Sequence, residues 1–290
     1  MYYKIIDFAK YSSIKVGQPV EVLILEKGDK IPTDRYLIGG ANNILVSPNP
    51  PPLMMLGKDF SHIYLEKDIL TIGASMPTGR ILSFTKKHNI SGFEFLAKLP
   101  GTIGGILAMN AGVKNYEIFN ILNSININGE WIEKDNIEYG YRFTKLNGVA
   151  LEAKFNINYG FSQNLLNELV KLRSNQPKEP SAGSAFKNPK NDYAGRLIES
   201  VGLKGFKYGN MAFSDVHSNF IINLGNGKYK EAKYLIDLAK EKVFKKFNIL
   251  LEEEIKILAT KNTYKKIYFY FRYIIKGRYY KIYNFIYRTF

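Results

Sequence analysis

Residues 180–189 read Pro-Ser-Ala-Gly-Ser-Ala-Phe-Lys-Asn-Pro. Two prolines bracket small residues, a hydroxyl, an ammonium and an amide. The combination buries little apolar surface, so core packing does not call for it. A turn that holds Ser184, Lys187 and Asn188 against a ligand does, although a surface loop with incidental polar groups has the same composition. Residues 138–142 read Glu-Tyr-Gly-Tyr-Arg, where Arg142 beside Tyr141 is either a surface stack or a fixed guanidinium for a carboxylate or phosphate. Residues 251–255 read Leu-Glu-Glu-Glu-Ile. Strand-like alternation puts Glu252 and Glu254 on one face and Glu253 on the other, and a solvated acidic turn is the plain reading.

Two glycine segments could meet a ligand's backbone. In residues 36–46 an apolar run enters, Gly39, Gly40, Ala41, Asn42 and Asn43 turn, and a second apolar run leaves. Successive N–H groups in such a turn can form an anion nest, or the turn is simply a tight hairpin. No helix is expected after it and the G-x-G-x-x-G pattern is absent, so this is not a Rossmann fingerprint. Residues 100–112, Pro-Gly-Thr-Ile-Gly-Gly-Ile-Leu-Ala-Met-Asn-Ala-Gly, are equally thin. Gly101, Thr102, Gly104, Gly105, Asn110 and Ala111 give a wall against which a flat ligand can lie, or a close-packed turn between elements. Two such segments, neither a mononucleotide P-loop, suggest one extended ligand gripped at both ends.

The elements that must position these residues are short. Strands are expected over 20–25, 36–38, 44–46, 69–72, 121–127 and 149–157, bounded by Gly, Pro, Asn and Asp. Residues 48–52 hold four prolines and read as a rigid, extended break. Helices are expected over 78–88, 165–172, 193–201 (closed by Gly202) and 228–247. The last carries Ala232, Leu235, Ile236, Ala239, Val243 and Phe247 on one stripe and lysines on the other face. The fold class is α+β, without regular βαβ alternation or internal repeat.

Composition narrows the chemistry. The chain has 290 residues, 46% of them hydrophobic, enough for a proper core. It has no cysteine, which excludes disulfides and cysteine-based metal or redox sites. Its three histidines, His62, His88 and His217, lie far apart, and no metal site is expected. The first residues include an early acid and no long apolar run, so no secretory signal and no membrane span are expected. The net charge is +15, but residues 261–290 hold eight Lys or Arg and no acid, leaving +7 for residues 1–260. No nucleic-acid partner is expected; the milder excess suits a polyanionic small molecule.

In this order the segments resemble the UDP-N-acetylenolpyruvoylglucosamine reductase family of peptidoglycan precursor synthesis. The family's landmarks are a GGGSN-type turn, PGTxGG…MNAG, GYR, PSAGSxFKNP, GLKG…S…H.NF and a closing LEPE[VI]. This chain offers residues 39–43, 100–112, 140–142, 180–189, 202–205 with 214–220, and 251–255. The resemblance covers residues 11–257 and implies an FAD- and NADPH-dependent cytoplasmic enzyme that reduces an enolpyruvyl ether to a lactyl ether on a UDP-linked amino sugar. Hydride reaches C3 and a proton reaches C2.

It also implies a two-part FAD-binding region of the vanillyl-alcohol-oxidase type over residues 1–160 and a smaller substrate-binding domain over 161–257. The two glycine segments would hold FAD. Arg142 and a protonated Glu254 would meet charge building on the substrate carboxylate, and Ser184 would supply the proton. Tyr141, Lys187 and Asn188 would hold substrate; for His217, contact with the uridyl-diphosphate and a structural role stand equally. The alternative is a non-catalytic nucleic-acid- or membrane-surface-binding protein on a degenerate flavin fold.

Three departures stand out. Ala41 and Asn42 replace the usual Gly and Ser, and Glu253 replaces the family's proline. Only about forty residues separate Arg142 from Ser184, as in the shorter subtype that lacks a substrate-capping insertion. Residues 261–290, with twelve Tyr or Phe, lie beyond the family pattern. Contact with an anionic membrane surface, stacking on RNA, cover for a neighbouring subunit and poor order all stay open for them.

Overall fold

The computed structural model describes residues 1–260; the basic aromatic segment 261–290 lies outside the described residues. A first lobe is built on a four-stranded sheet ordered Tyr2–Asp7, Pro19–Leu25, Leu53–Leu56, Tyr36–Leu37. The first pair is antiparallel and the others are parallel. The period of two sorts the Pro19–Leu25 strand between two cores. Val22 and Ile24 join Phe8, Ile38, Val46 and Leu53, while Leu23 and Leu25 pack with Met54 and Val149. Val149 immediately precedes a strand of the second lobe, so the second face of this strand is where the lobes meet.

The second lobe is a five-stranded antiparallel sheet ordered Glu130–Glu133, Leu122–Ile127, Ala150–Asn156, Ile69–Gly73, Ile63–Glu66. Its core gathers Leu70, Ile72, Phe93, Phe119, Ile125 and Phe155 with Ile81, Ile106 and Leu169 from three helices. Those helices are Thr78–Lys87, Ile103–Ala108 and Gln163–Leu172. The Gln163–Leu172 helix therefore packs with the second lobe. The change of core falls after it, later than the division at residue 160 expected from sequence.

The remaining domain is an antiparallel sheet ordered Ser181–Ser184, Phe220–Asn223, Met211–Phe213, Lys207–Tyr208, with helices Ala194–Ser200 and Tyr229–Phe247. The long helix buries Ala232, Leu235, Ile236, Ala239 and Val243, the stripe its 3.6-residue period dictates. Asn248 ends it at φ +54°, a left-handed cap that Asn tolerates. The last described strand returns to the first lobe. Lys256–Leu258 pairs in parallel with Ile44–Val46, and Leu258 enters the first lobe's core.

Two local expectations change. Residues 100–112 contain a short helix, Ile103–Ala108, rather than a turn. Its two glycines are poor helix formers, but Thr102 caps the start by accepting from Gly105 N–H, and Gly104 is needed for close approach: a Cβ there would lie 3.0 Å from the Ala74 carbonyl oxygen. Residues 181–184 form an edge strand rather than a loop. Small residues there hide the apolar alternation by which a strand is read.

Candidate active site

The first glycine segment connects two strands as expected. Tyr36–Leu37 leads in, Ile44–Val46 leads out, and no helix follows. Among the described residues the backbone N–H groups of Gly39, Gly40, Ala41, Asn42 and Asn43 meet no internal acceptor. Unpaired, partly buried donors in sequence are an anion-binding arrangement. The second glycine segment forms the opposite wall. A Cβ on Gly40 would stand 3.2 Å from Gly101 Cα and one on Gly39 would stand 2.6 Å from Thr102 Oγ1, so side chains are excluded where the two backbones meet. These residues fit the pyrophosphate of a dinucleotide such as FAD. Ala41 sits at φ +53° with its methyl buried, which explains the family's glycine at this place and puts about 1 kcal/mol of strain here.

Asn110 links this wall to the guanidinium. Fully buried and at φ +41°, it closes the Ile103–Ala108 helix. Its amide donates to Glu117 Oε2 (2.8 Å) and the Gly140 carbonyl (3.2 Å) and accepts from Phe119 N–H (3.3 Å). The side chain is thus committed to the fold, and Ala111 likewise bonds internally through N–H and C=O. Gly104 N–H is taken by Ala74 and Gly105 N–H by Thr102, so both serve the helix. The bond from Asn110 to Gly140 fixes a hairpin, Tyr139–Gly140 with Phe143–Thr144, whose turn is Tyr141–Arg142.

Arg142 occupies the left-handed region at φ +55°, a place where turns favour Gly or Asn. A side chain held there against its backbone preference marks a geometry the site requires. Its Nη2 donates to the Gly112 carbonyl (3.2 Å), its Nε lies 3.2 Å from Glu254 Oε1, and its guanidinium lies 5.2 Å from the centre of the exposed Tyr141 ring. These contacts leave Nη1 and half of Nη2 uncommitted.

Ser184 is aimed by a bulge. Ser181 pairs with Ile222 and Ser184 with Phe220, so one extra residue is accommodated between them. Gly183 absorbs it at φ +77°, a conformation that glycine adopts without a steric penalty. Among the described residues the Ser184 hydroxyl has no hydrogen-bond partner. The next residue ties it to the closing segment: Ala185 C=O accepts from Glu254 N–H (2.9 Å), and Lys187 N–H donates to Glu252 C=O (2.9 Å). Asn43 Nδ2 then donates to Glu254 C=O (2.9 Å). Ser184, Glu254, Arg142 and both glycine segments are thereby joined through short chains of bonds.

The three acids of the closing segment each meet a different cation. Glu252 pairs with Lys187 Nζ at 2.6 Å and Glu253 with Lys240 Nζ at 2.8 Å. Glu254 is 15% exposed. Burial pushes its carboxyl above the ordinary value, while the Arg142 guanidinium, then Lys187 and Arg173, pull the other way. Glu253, taken up by Lys240, is not among the groups acting on it.

The remaining expected residues lie apart from this cluster. Asn188 Oδ1 accepts from Ala194 N–H, the first residue of a helix (3.1 Å). His217 accepts from Asn219 N–H through Nδ1 (3.2 Å) and packs edge-on against Phe220; burial lowers its pKa, so it is neutral. None of its contacts reaches Arg142 or Glu254.

Sequence reading missed Asn219 and Arg173. Asn219 is buried and bonds both ends of one residue, accepting from Phe186 N–H (3.0 Å) and donating to Phe186 C=O (2.8 Å). It pins the segment just after the Ser184 strand, and its place in a run of polar residues gave no hint of burial. Asn219→Ala is expected to orphan both groups at roughly 1–3 kcal/mol each. Urea unfolding should show the loss, and an unchanged midpoint would remove Asn219 from this role.

A cleft of about 240 Å³ near the lobe junction, lined by Leu25, Phe60, His62 and Glu152 among others, contains none of the expected site residues.

Two lobes that share a glycine cradle, with a smaller α+β domain joined to them through Glu254, define an FAD-binding fold of the vanillyl-alcohol-oxidase type with an added substrate-binding domain. Residues 176–258 match the family model described as UDP-N-acetylenolpyruvoylglucosamine reductase, C-terminal domain. The chain is 47% identical over 258 residues to the UDP-N-acetylenolpyruvoylglucosamine reductase of Helicobacter hepaticus, covering 88% of this chain and 98% of that one. It is 46% identical over 259 residues to the protein of that name from Campylobacter jejuni, covering 88% and 100%. The crystal structure of the Thermus caldophilus reductase superposes with a TM-score of 0.77 at 25% identity, over 89% of this chain and 99% of that one. The chain belongs to the UDP-N-acetylenolpyruvoylglucosamine reductase family.

Proposed function

We propose that this protein reduces UDP-N-acetylglucosamine enolpyruvate to UDP-N-acetylmuramate in the cytoplasm, as an oxidoreductase of peptidoglycan precursor synthesis. The observation that carries the reading is the buried Arg142–Glu254 pair, bonded through Ala185 to the bulged strand that presents a free Ser184 hydroxyl. Gly39 to Asn43 would hold the FAD pyrophosphate through their backbone N–H groups, with Gly101 and Thr102 as the facing wall. Bound FAD, reduced by NADPH, supplies the hydride chemistry.

The chain's own residues do the rest. Arg142 receives the substrate carboxylate through its uncommitted donors. In its protonated form, which burial favours, Glu254 donates a hydrogen bond to the oxygen on which charge builds; a preorganised donor of this kind is worth about 10²–10³ in rate. Ser184 gives its proton to C2, a step that general acids accelerate by about 10²–10⁴. The Lys187 ammonium, 17% exposed and facing Glu252, exchanges that partner for the diphosphate, and Tyr141 flanks the bound ligand.

The test is a spectrum and a coupled assay. The purified protein should be yellow and should oxidise NADPH only when the UDP-linked enolpyruvyl sugar is present. A colourless, folded protein that takes up no added FAD would overturn the reading. The non-catalytic alternative is not favoured, because the relatives named as reductases match over 88% of this chain and 98% to 100% of their own length. Residues 261–290, to which membrane contact would fall, lie outside the described residues, and no helix among those described is long and apolar enough to cross a membrane.

A further inference from the structure

Arg173 follows the Gln163–Leu172 helix of the second lobe and caps its end. Its side chain turns inward. Nη2 donates to Gln176 Oε1 (3.0 Å), and Nε is buried with no hydrogen-bond partner. Among the described residues no carboxylate lies within ion-pair distance of it. Yet the group stands in the electrostatic reach of both Arg142 and Glu254. Lys187 has Glu252 and Arg142 has Glu254. Of the three cations acting on Glu254, Arg173 alone has no ion-pair partner among the described residues.

A desolvated guanidinium beside a second one is unfavourable in the free protein, because burial removes its hydration and Arg142 repels it. A structural role predicts an acid partner, or exposure at the helix end where a cation complements the dipole. Arg173 has neither. What compensates a half-buried, unpaired cation next to a carboxylate-receiving site is an anion brought by the ligand. The ligand's two anionic parts are its carboxylate and its diphosphate. The coupling of Arg173 to Arg142 and Glu254, the groups at the carboxylate end, selects the first.

We propose that Arg173, oriented by Gln176, is a second guanidinium for the enolpyruvyl carboxylate of the substrate. The proposal rests on the reductase reading and goes beyond it by assigning the carboxylate two guanidinium partners instead of one. It also gives the Arg-x-x-Gln spacing at residues 173–176 a purpose: the amide oxygen takes one Nη2 hydrogen and leaves Nε and Nη1 for the ligand.

The test compares two ligands on the oxidised, FAD-loaded enzyme without NADPH, where nothing turns over. Calorimetry would measure binding of the UDP-linked enolpyruvyl sugar, which has the carboxylate, and of UDP-N-acetylglucosamine, which lacks it. Arg173→Gln should weaken the first about 10- to 100-fold and leave the second unchanged. Arg173→Lys keeps the charge without the fork and should fall between. The melting temperature of Arg173→Gln should hold or rise, since an uncompensated, partly desolvated charge has been removed.

Equal weakening of both ligands would assign Arg173 to the diphosphate and overturn the proposal. Unchanged binding of both, or a large fall in melting temperature in both variants, would overturn it too. Wild-type turnover of the enolpyruvyl sugar is the control: its failure would sink the reductase reading itself, independently of Arg173.

Discussion

Ser184→Ala is expected to leave reduction of the bound flavin by NADPH near the wild-type rate and to slow product formation by about 10²–10⁴. The structure makes this substitution unusually clean. The hydroxyl has no hydrogen-bond partner among the described residues, so nothing is orphaned by its removal. Neither the bulge nor the pairing with Phe220 depends on it, because Gly183 carries the unusual backbone angle. Stability should therefore change by no more than about 0.5 kcal/mol. Stopped-flow absorbance of the flavin separates the two half-reactions. If both slow together, Ser184 acts on the cofactor site and its role as proton donor is wrong.

The arrangement around Ser184 shows where the sequence was informative. The Tyr229–Phe247 helix was legible because a long element buried on one side must repeat its apolar residues at helical spacing. The turn at residues 39–43 was legible because only small residues permit the close approach to Gly101. The Tyr2–Asp7 strand was not: it is an edge strand with four of its six residues exposed, so burial imposed no alternation on it. The Ser181–Ser184 strand was hidden by its bulge, which breaks the period of two.

Within the site, the types of Arg142, Ser184 and Glu254 were legible and their order matched a family. What brought Arg142 to Glu254 was not. That depends on Asn110 fixing the hairpin, and on the Lys256–Leu258 strand, which returns to pair with Ile44–Val46. Arg173 and Asn219 were invisible for a related reason. Each lies in a polar run, and the partners that give each its place are distant in sequence.

Arg142→Gly should separate stability from activity. The wild-type side chain is held at φ +55°, which costs about 1–2 kcal/mol for an L-residue and nothing for glycine. Against that gain stand the lost bond to the Gly112 carbonyl, the lost pairing with Glu254 and the greater freedom of glycine in the unfolded chain. The two sides nearly cancel, so the melting temperature should move little, while kcat/KM falls by about 10²–10³ with the loss of the carboxylate's charged partner.

The same variant should move a pH limb. Burial raises the Glu254 carboxyl and Arg142 is the largest force opposing that rise. The folded state therefore holds this proton more tightly than the unfolded chain does. Its contribution to stability is complete below the unfolded carboxyl's value, about 4.3. It is lost as pH rises through the raised folded value. The protonated form is also the hydrogen-bond donor, so wild-type product formation should decline as pH rises through the same value. Removing Arg142 leaves burial less opposed, which pushes the carboxyl higher and carries the alkaline limb with it. Arg142→Gly should thus be slower at every pH yet keep its remaining activity to a higher pH than wild type. A limb that stays in place, or moves down, would mean that Glu254 is not the group whose proton the reaction needs.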